Sequence, residues 1–361
     1  MNDKVTLMKG NEALAMAMSR YGADGYFGYP ITPQSEVLEK LEEEMPWDTT
    51  GMVVLQAESE VAAINMVYGG AMTGKAVCTS TSSPGFSLMQ EGVSYLAASE
   101  VPALLINVQR GGPGLGTIHA SQADYFQACK GGGHGDYHMI VLAPSSVQEM
   151  ADMVALGFDL AFKYRCVSMI LADGTIGQLM EKVVLPEQRP RRTEEQIREQ
   201  CPWAVNGRKG MRPSNVVTSL ELDDDKMEEN NWRFQACYRE IEKNETRCEL
   251  IDVEDCDYLI TAFGTTARIA MKTMELARAE GIKVGMFRPI TLWPFPEKQL
   301  REAAKNVKGI LCVELNAGQM VEDVKLAVEC KMPVEHYGRF GGNVPTPDEL
   351  LNVLKEKLIN K

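Results

Sequence analysis

Gly28-Tyr29-Pro30-Ile31-Thr32-Pro33-Gln34-Ser35-Glu36 starts inside a short apolar run, 26–29, and ends inside a helical pattern, 34–44. A strand that passes through a tight loop into a helix is the repeating unit of an α/β sheet. Thr32 followed by Pro33 has the form of a helix cap with a proline at the first helical position. The same alternation extends on both sides. Strands are predicted at 52–55, 76–80, 103–108, 139–142 and 167–171, with helices at 58–72, 86–98, 123–130 and 147–164. Ligands of open α/β sheets bind where strand C-termini meet helix N-termini. Thr32 therefore has two readings: a helix cap, or a hydroxyl beside free backbone N–H groups that meets an anionic or carbonyl oxygen.

The rhythm breaks between 186 and 250, where charge is dense and β-branched apolar runs are scarce. This reads as a charged linker or an arm packed on a neighbour, with one helix near 232–244. The α/β pattern returns with strands at 259–263, 284–288 and 310–314 and helices at 266–280, 297–306 and 320–329. Thr346-Pro347 announces a last helix. The expected organisation is a parallel-sheet domain over 1–185, the linker over 186–250, and a smaller α/β domain over 251–361.

Thirty-seven basic residues against 50 acidic ones give a net charge of −13, which disfavours nucleic acid and anionic membrane as partners. The apolar runs are strand-length and too short to cross a bilayer, and the first ten residues do not read as a signal peptide. A cytoplasmic location is expected. The nine cysteines contain no Cys-x-x-Cys pair, so an iron–sulfur cubane held by the usual spacing is not expected on this chain.

Three further strand ends carry candidate chemistry. Leu55-Gln56-Ala57-Glu58-Ser59-Glu60 leads into a helix of small and apolar residues. Its carboxylates either pair with the helix dipole or serve as a general acid beside a flat ring. Thr79-Ser80-Thr81-Ser82-Ser83-Pro84-Gly85 is a hydroxyl-rich turn that lines a polar pocket or satisfies its own backbone. Arg110 leaves a buried strand and opens the loop Gly111-Gly112-Pro113-Gly114-Leu115-Gly116-Thr117, where a fixed guanidinium can grip a carboxylate. That loop lacks the dinucleotide-binding spacing. His134 and His138 lie four apart in a glycine-rich loop rather than on a helix, so they read as surface histidines and no metal site is expected.

In order and spacing these motifs resemble the alpha-type subunits of 2-oxoacid:ferredoxin oxidoreductases: Tyr-Pro-Ile-Thr-Pro, Gln-Ala-Glu, the Thr-Ser…Pro-Gly turn, and Gln-Arg-Gly-Gly-Pro. The resemblance spans nearly the whole chain. It includes a transketolase-C-like second half with Ala262-Phe263-Gly264-Thr265, Phe287-Arg288-Pro289 and Leu292-Trp293-Pro294-Phe295-Pro296. It implies a pyrimidine-type thiamine-diphosphate-binding first domain. Glu58 would contact the cofactor's pyrimidine ring, with Glu60 as second candidate, and Tyr29, Pro30, Ser83 and Pro84 would line the cofactor. Thr32 would bond the substrate's oxygens and Arg110 its carboxylate.

Thiamine-diphosphate enzymes commonly hold the diphosphate and Mg2+ through Gly-Asp-Gly and a later Asn-Asn. Here Gly135-Asp136-Tyr137 lacks the final glycine, Ala172-Asp173-Gly174 lacks the first, and Asn230-Asn231 falls in the linker. The resemblance therefore implies a diphosphate-binding beta-type partner, with Mg2+ and iron–sulfur clusters on companion chains, a gamma-type subunit among them. Ferredoxin and coenzyme A are the implied co-substrates. The implied reaction is CoA-dependent oxidative decarboxylation of a branched-chain 2-oxo acid, 3-methyl-2-oxobutanoate. 2-Oxoglutarate and a non-catalytic α/β scaffold are the alternatives.

Overall fold

The computed structural model describes residues 5–208, 210 and 212–360. Its larger sheet has seven strands in the order Thr291–Trp293, Ile140–Leu142, Val167–Asp173, Ala103–Gln109, Val77–Thr81, Gly25–Gly28, Val53–Gln56. All pair in parallel except Thr291–Trp293, which runs antiparallel to Ile140–Leu142. The three strands Val77–Thr81, Ala103–Gln109 and Val167–Asp173 are buried along their whole length, as a sheet covered on both faces requires. Every strand expected in the first domain is present, with ends shifted by one or two residues. The helix Val147–Tyr164 has the expected bounds, and Ser146 caps it by accepting from the Glu149 N–H at 3.1 Å.

Thr32-Pro33 does not start a helix. The helix is Glu36–Glu44, preceded by Ser35, and Thr32 lies three residues earlier, exposed in the loop before it. Thr346-Pro347, with the same two-residue signature, does start one. There Thr346 Oγ1 accepts from Glu349 N–H and Glu349 Oε2 accepts from Thr346 N–H, both at 3.2 Å. The carboxylate three residues on closes a capping box at Thr346, whereas Ser35 stands at that place after Thr32.

The charged segment holds two helices, Glu194–Gln200 and Asp224–Asn244. The second starts eight residues before the expected 232. Asp223 caps it through the Lys226 N–H at 3.1 Å, and Asp224 and Asp225 sit in its first turn. Acidic residues that look like linker composition therefore stabilise a helix start. Phe234, Tyr238 and Ile241 bury one stripe of this helix against the body.

The second lobe is a five-stranded sheet in the order Val334–Gly338, Gly309–Glu314, Tyr258–Thr261, Val284–Pro289, Cys248–Ile251, with only the last strand antiparallel. The short antiparallel edge strands carry too few apolar residues to stand out in the sequence. The same holds for the two-stranded ribbon Val5–Lys9 with Met180–Val184. The lobes are joined by the strand Thr291–Trp293, which the second half donates to the first sheet, and by buried polar bonds. Thr265 donates from Oγ1 to Asp173 Oδ1 at 2.5 Å and from its N–H to Oδ2 at 2.8 Å. Gln122 donates to Phe263 O at 2.7 Å, and Arg288 forks onto Glu149 at 2.6 and 2.9 Å.

Candidate active site

From Gly25–Gly28 the chain runs outward to the edge strand Val53–Gln56. It then returns to Val77–Thr81 on the other side of Gly25–Gly28. This reversal opens a crevice at the carboxyl ends of the strands, the position where open α/β sheets bind ligands. The loops that follow four strands meet there: 29–35, 57–59, 82–83 and 110–118.

The 29–35 loop is held from within the sheet. Gln34, fully buried, donates to Tyr29 O at 3.1 Å and accepts from Ser80 Oγ at 2.6 Å. Ser80 in turn lies 2.7 Å from the Tyr26 hydroxyl. Burial pushes that phenol above its ordinary value, so it remains a neutral hydrogen-bonding group. Above this anchor Tyr29 is half-buried, while Pro30 and Thr32 are exposed.

Arg110 sits at the end of the fully buried Ala103–Gln109 strand and is only 9% exposed. Nη1 donates to Thr32 O at 2.9 Å and Nη2 to Leu115 O at 3.0 Å. Nε is buried without a partner, and among the described residues no carboxylate forms an ion pair with this guanidinium. A buried cation paired only with carbonyl oxygens is suited to an anionic ligand. The Arg110 N–H donates to Ser83 Oγ at 3.0 Å. Ser83 Oγ donates at 2.5 Å to Asp124 Oδ2, which also accepts from Asn107 Nδ2 at 2.9 Å. Burial raises the Asp124 carboxyl above its ordinary value, partly offset by the bonds from Ser83 and Asn107. Asp124 belongs to no motif, so sequence reasoning missed it. Pro84 is half-buried in the first turn of the Ser83–Ala98 helix.

The two candidate carboxylates differ in setting. Glu58 is exposed in the loop after Val53–Gln56. Glu60, the first residue of the Glu60–Met72 helix, is 6% exposed and accepts no hydrogen bond among the described residues. It lies against the start of the Ser83–Ala98 helix: a Cβ on Gly85 would stand 2.5 Å from Glu60 Oε1. At the start of the same Ser83–Ala98 helix the Ser82 hydroxyl is buried without a partner. A buried carboxylate and an orphaned hydroxyl at a glycine-lined helix junction fit the polar edge of a flat heteroaromatic ring.

The histidines separate. His134 is exposed, and His138 is half-buried, stacked on Trp293 with ring centroids 4.5 Å apart and an interplanar angle of 6°. His138 is thus not a surface histidine. It joins the glycine-rich loop to the strand donated by the second lobe. Asp173 is used for capping Gly174–Gln178 and for binding Thr265. Asp136 is exposed in its loop. Among the described residues no group of three or more His, Cys, Asp or Glu side chains is placed to hold a metal ion.

Two family models cover this chain: the thiamine-diphosphate-binding domain of pyruvate flavodoxin/ferredoxin oxidoreductases over residues 16–244, and the core domain II of pyruvate:ferredoxin oxidoreductase over 256–350. The chain belongs to the 2-oxoacid:ferredoxin oxidoreductase family. Among curated family members it is similar to ketoisovalerate oxidoreductase subunit VorB of Methanothermobacter marburgensis, at 47% identity over 97% of each chain. It is also similar to 2-oxoglutarate synthase subunit KorA of the same organism, at 34% identity over 96% of this chain and 97% of that one. The 2-oxoglutarate:ferredoxin oxidoreductase of Magnetococcus marinus superposes with a TM-score of 0.84 at 27% identity, over 98% of this chain and 65% of that chain. That structure has 2-oxoglutarate, coenzyme A and succinyl-CoA bound. A split-gene transketolase shares the fold alone, with a TM-score of 0.60 at 13% identity over 97% of this chain and 98% of that one. Among the described residues no helix is long and apolar enough to cross a membrane.

Proposed function

We propose that this chain is the alpha-type subunit of a ketoisovalerate (3-methyl-2-oxobutanoate):ferredoxin oxidoreductase and carries the pyrimidine half of an interfacial thiamine diphosphate site. The observation that carries the substrate assignment is full-length identity of 47% to a ketoisovalerate subunit, against 34% to a 2-oxoglutarate subunit. Thiamine diphosphate, when bound, supplies the carbanion chemistry that releases CO2 from a 2-oxo acid. The chain's own residues position and polarise. Glu60 hydrogen-bonds the aminopyrimidine ring and moves its proton, a role that burial gives to Glu60 over the exposed Glu58 two residues before it. Arg110 pairs with the substrate carboxylate through the donors that Thr32 O and Leu115 O leave free. The Thr32 hydroxyl meets the 2-oxo oxygen. Tyr29, Pro30, Ser83 and Pro84 form the wall between them.

The diphosphate, its Mg2+ and the iron–sulfur clusters belong, in this reading, to partner chains. It is supported by the Asp173 carboxylate, which capping and Thr265 already occupy, and by an exposed apolar surface beside the crevice. That surface includes Val61 and Met66 on the Glu60–Met72 helix, Leu88 on the adjoining Ser83–Ala98 helix, and Val53 and Leu55 on the edge strand. Apolar groups at such exposure suit a subunit interface.

The test is CoA-dependent viologen reduction by the native complex under anoxic conditions, comparing 3-methyl-2-oxobutanoate, pyruvate and 2-oxoglutarate. Preference for the branched acid is the expected result. Preference for 2-oxoglutarate would keep the site and overturn the substrate, and no reduction by a complex with intact clusters would overturn both.

A further inference from the structure

The loop carrying the exposed Thr32 is gripped at its buried Pro33 end by residues that no motif includes. Asn11, fully buried on the first turn of the Gly10–Tyr21 helix, donates from Nδ2 to Pro33 O at 2.6 Å and to Glu36 Oε2 at 2.9 Å. Gln178, at the end of the Gly174–Gln178 helix, donates to the same two residues: Pro33 O at 3.1 Å and Glu36 Oε1 at 2.7 Å. Lys9 adds an ion pair to Glu36 Oε1 at 3.4 Å. The carbonyl one residue after Thr32 is therefore bonded twice, and the carboxylate that starts the next helix is bonded on both oxygens.

The two gripping side chains are themselves fixed. A Cβ on Gly10 would collide with the Ile176 carbonyl, and one on Gly177 would stand 2.7 Å from Asn11 Oδ1, so the two helix ends approach as only glycines permit. The Gly174–Gln178 helix is held by Asp173, whose Oδ1 accepts from Thr175 and Ile176 N–H at 3.1 and 3.2 Å. Asp173 is also the carboxylate that binds Thr265 of the second lobe. The bonds of Thr265 to Asp173 and of Gln178 to Pro33 are thus linked through the short Gly174–Gln178 helix that Asp173 caps. On the other side of Thr32 its own carbonyl is bonded to Arg110 Nη1.

We propose that Asn11 and Gln178 are positioning residues that hold the Thr32 hydroxyl in register with the Arg110 guanidinium, and that Thr265 extends this support to the second lobe. Asn11 lies upstream of residue 16, where the family model begins. The inference rests on the reading of Thr32 and Arg110 as the substrate-holding pair. Displacement of a binding group by about 1 Å can cost on the order of 100-fold in rate, so a loop with this function benefits from such anchoring.

The test uses the native complex and measures KM and kcat for the 2-oxo acid and, separately, KM for coenzyme A. Asn11→Ala and Gln178→Ala are each expected to raise KM for the 2-oxo acid about tenfold, the scale of two lost hydrogen bonds, with KM for coenzyme A unchanged. Gln178 is exposed, so its variant keeps the test valid if the buried Asn11→Ala chain does not assemble. In a Thr32→Ala background the Gln178→Ala change is expected to add nothing, because both act through one contact. An additive loss in the double variant, a parallel rise of both KM values, or no rise with Gln178→Ala would overturn the proposal. If Thr32→Ala alone leaves KM for the 2-oxo acid unchanged, the substrate-holding pair fails first and the network with it. An effective Thr32→Ala beside a silent Gln178→Ala overturns only the network.

Discussion

A Cβ added to Gly85 would press on Glu60 Oε1 and on Thr81 Oγ1, both on buried side chains. Gly85→Ala is therefore expected to displace the Glu60 carboxylate and to weaken cofactor retention, read as the thiamine diphosphate content of purified complex. Glu60→Gln keeps the shape but removes the acid. It is expected to lower CoA-dependent viologen reduction by about 100-fold, while Glu58→Gln stays within a few-fold of the parent. The opposite ranking would return the role to Glu58. Arg110→Lys keeps the charge but cannot replace a fork whose branches are bonded to Thr32 O and Leu115 O. A rise in KM for the 2-oxo acid on the order of tenfold is expected. The residue types of this site stand out in the sequence because strand ends expose them in order. Which of two neighbouring glutamates turns inward depends on where the helix starts, and boundaries are the part of a pattern that local sequence defines least. Asp124 could not be read from the sequence at all, since its role comes from the side chains of Ser83 and Asn107 brought to it by the fold.

Elements defined by burial were legible, and those defined by pairing were not. Continuous apolar runs such as Val167–Asp173 announce themselves, whereas Thr291–Trp293 is a strand only because Ile140–Leu142 offers it an edge. The stack of His138 on Trp293 secures that pairing. Burial holds the His138 imidazole below its ordinary 6.5, with Lys130 opposing protonation and the Cys129 carbonyl and Asp136 favouring it. A depressed histidine value means that the unfolded chain takes up its proton first as pH falls. The stability from the neutral ring is complete above about pH 6.5 and is lost as pH drops towards the folded value. His138→Phe keeps a ring on Trp293 without the titration, so its melting temperature is expected to fall less between pH 7 and pH 5. An unchanged slope would place the acid sensitivity elsewhere. Arg288, on the Val284–Pro289 strand, ties its lobe to Glu149 on the Val147–Tyr164 helix and also binds Glu249 at 2.7 Å. Its removal deprives two partly exposed carboxylates of a buried counter-charge. Arg288→Ala is expected to cost about 1–2 kcal/mol in unfolding free energy by denaturant titration.

At the scale of the whole molecule the two halves are not independent. A fragment ending before residue 256 would leave Ile140–Leu142 as a bare apolar edge and Asp173 without Thr265. Bare edges invite pairing with other chains, so such a fragment is expected to elute as aggregate on size exclusion while the full chain does not. The general architecture was readable as two α/β rhythms separated by charge. The strand exchange between them was not, because it depends on a contact between residues about 150 positions apart. A strand shared across the boundary also limits how the molecule can move. Hinge opening of one lobe away from the other would break a sheet ladder, the Arg288–Glu149 pair and the His138–Trp293 stack together. The 111–118 loop carries Leu115 at 81% exposure, is bonded through the Leu115 carbonyl to Arg110, and is closed at its base by bonds of Gly111 with Thr117 and His119. A carboxylate at Arg110 would take the donors that the Thr32 and Leu115 carbonyls leave free, so the guanidinium can fasten the 111–118 loop and grip an anion at the same time.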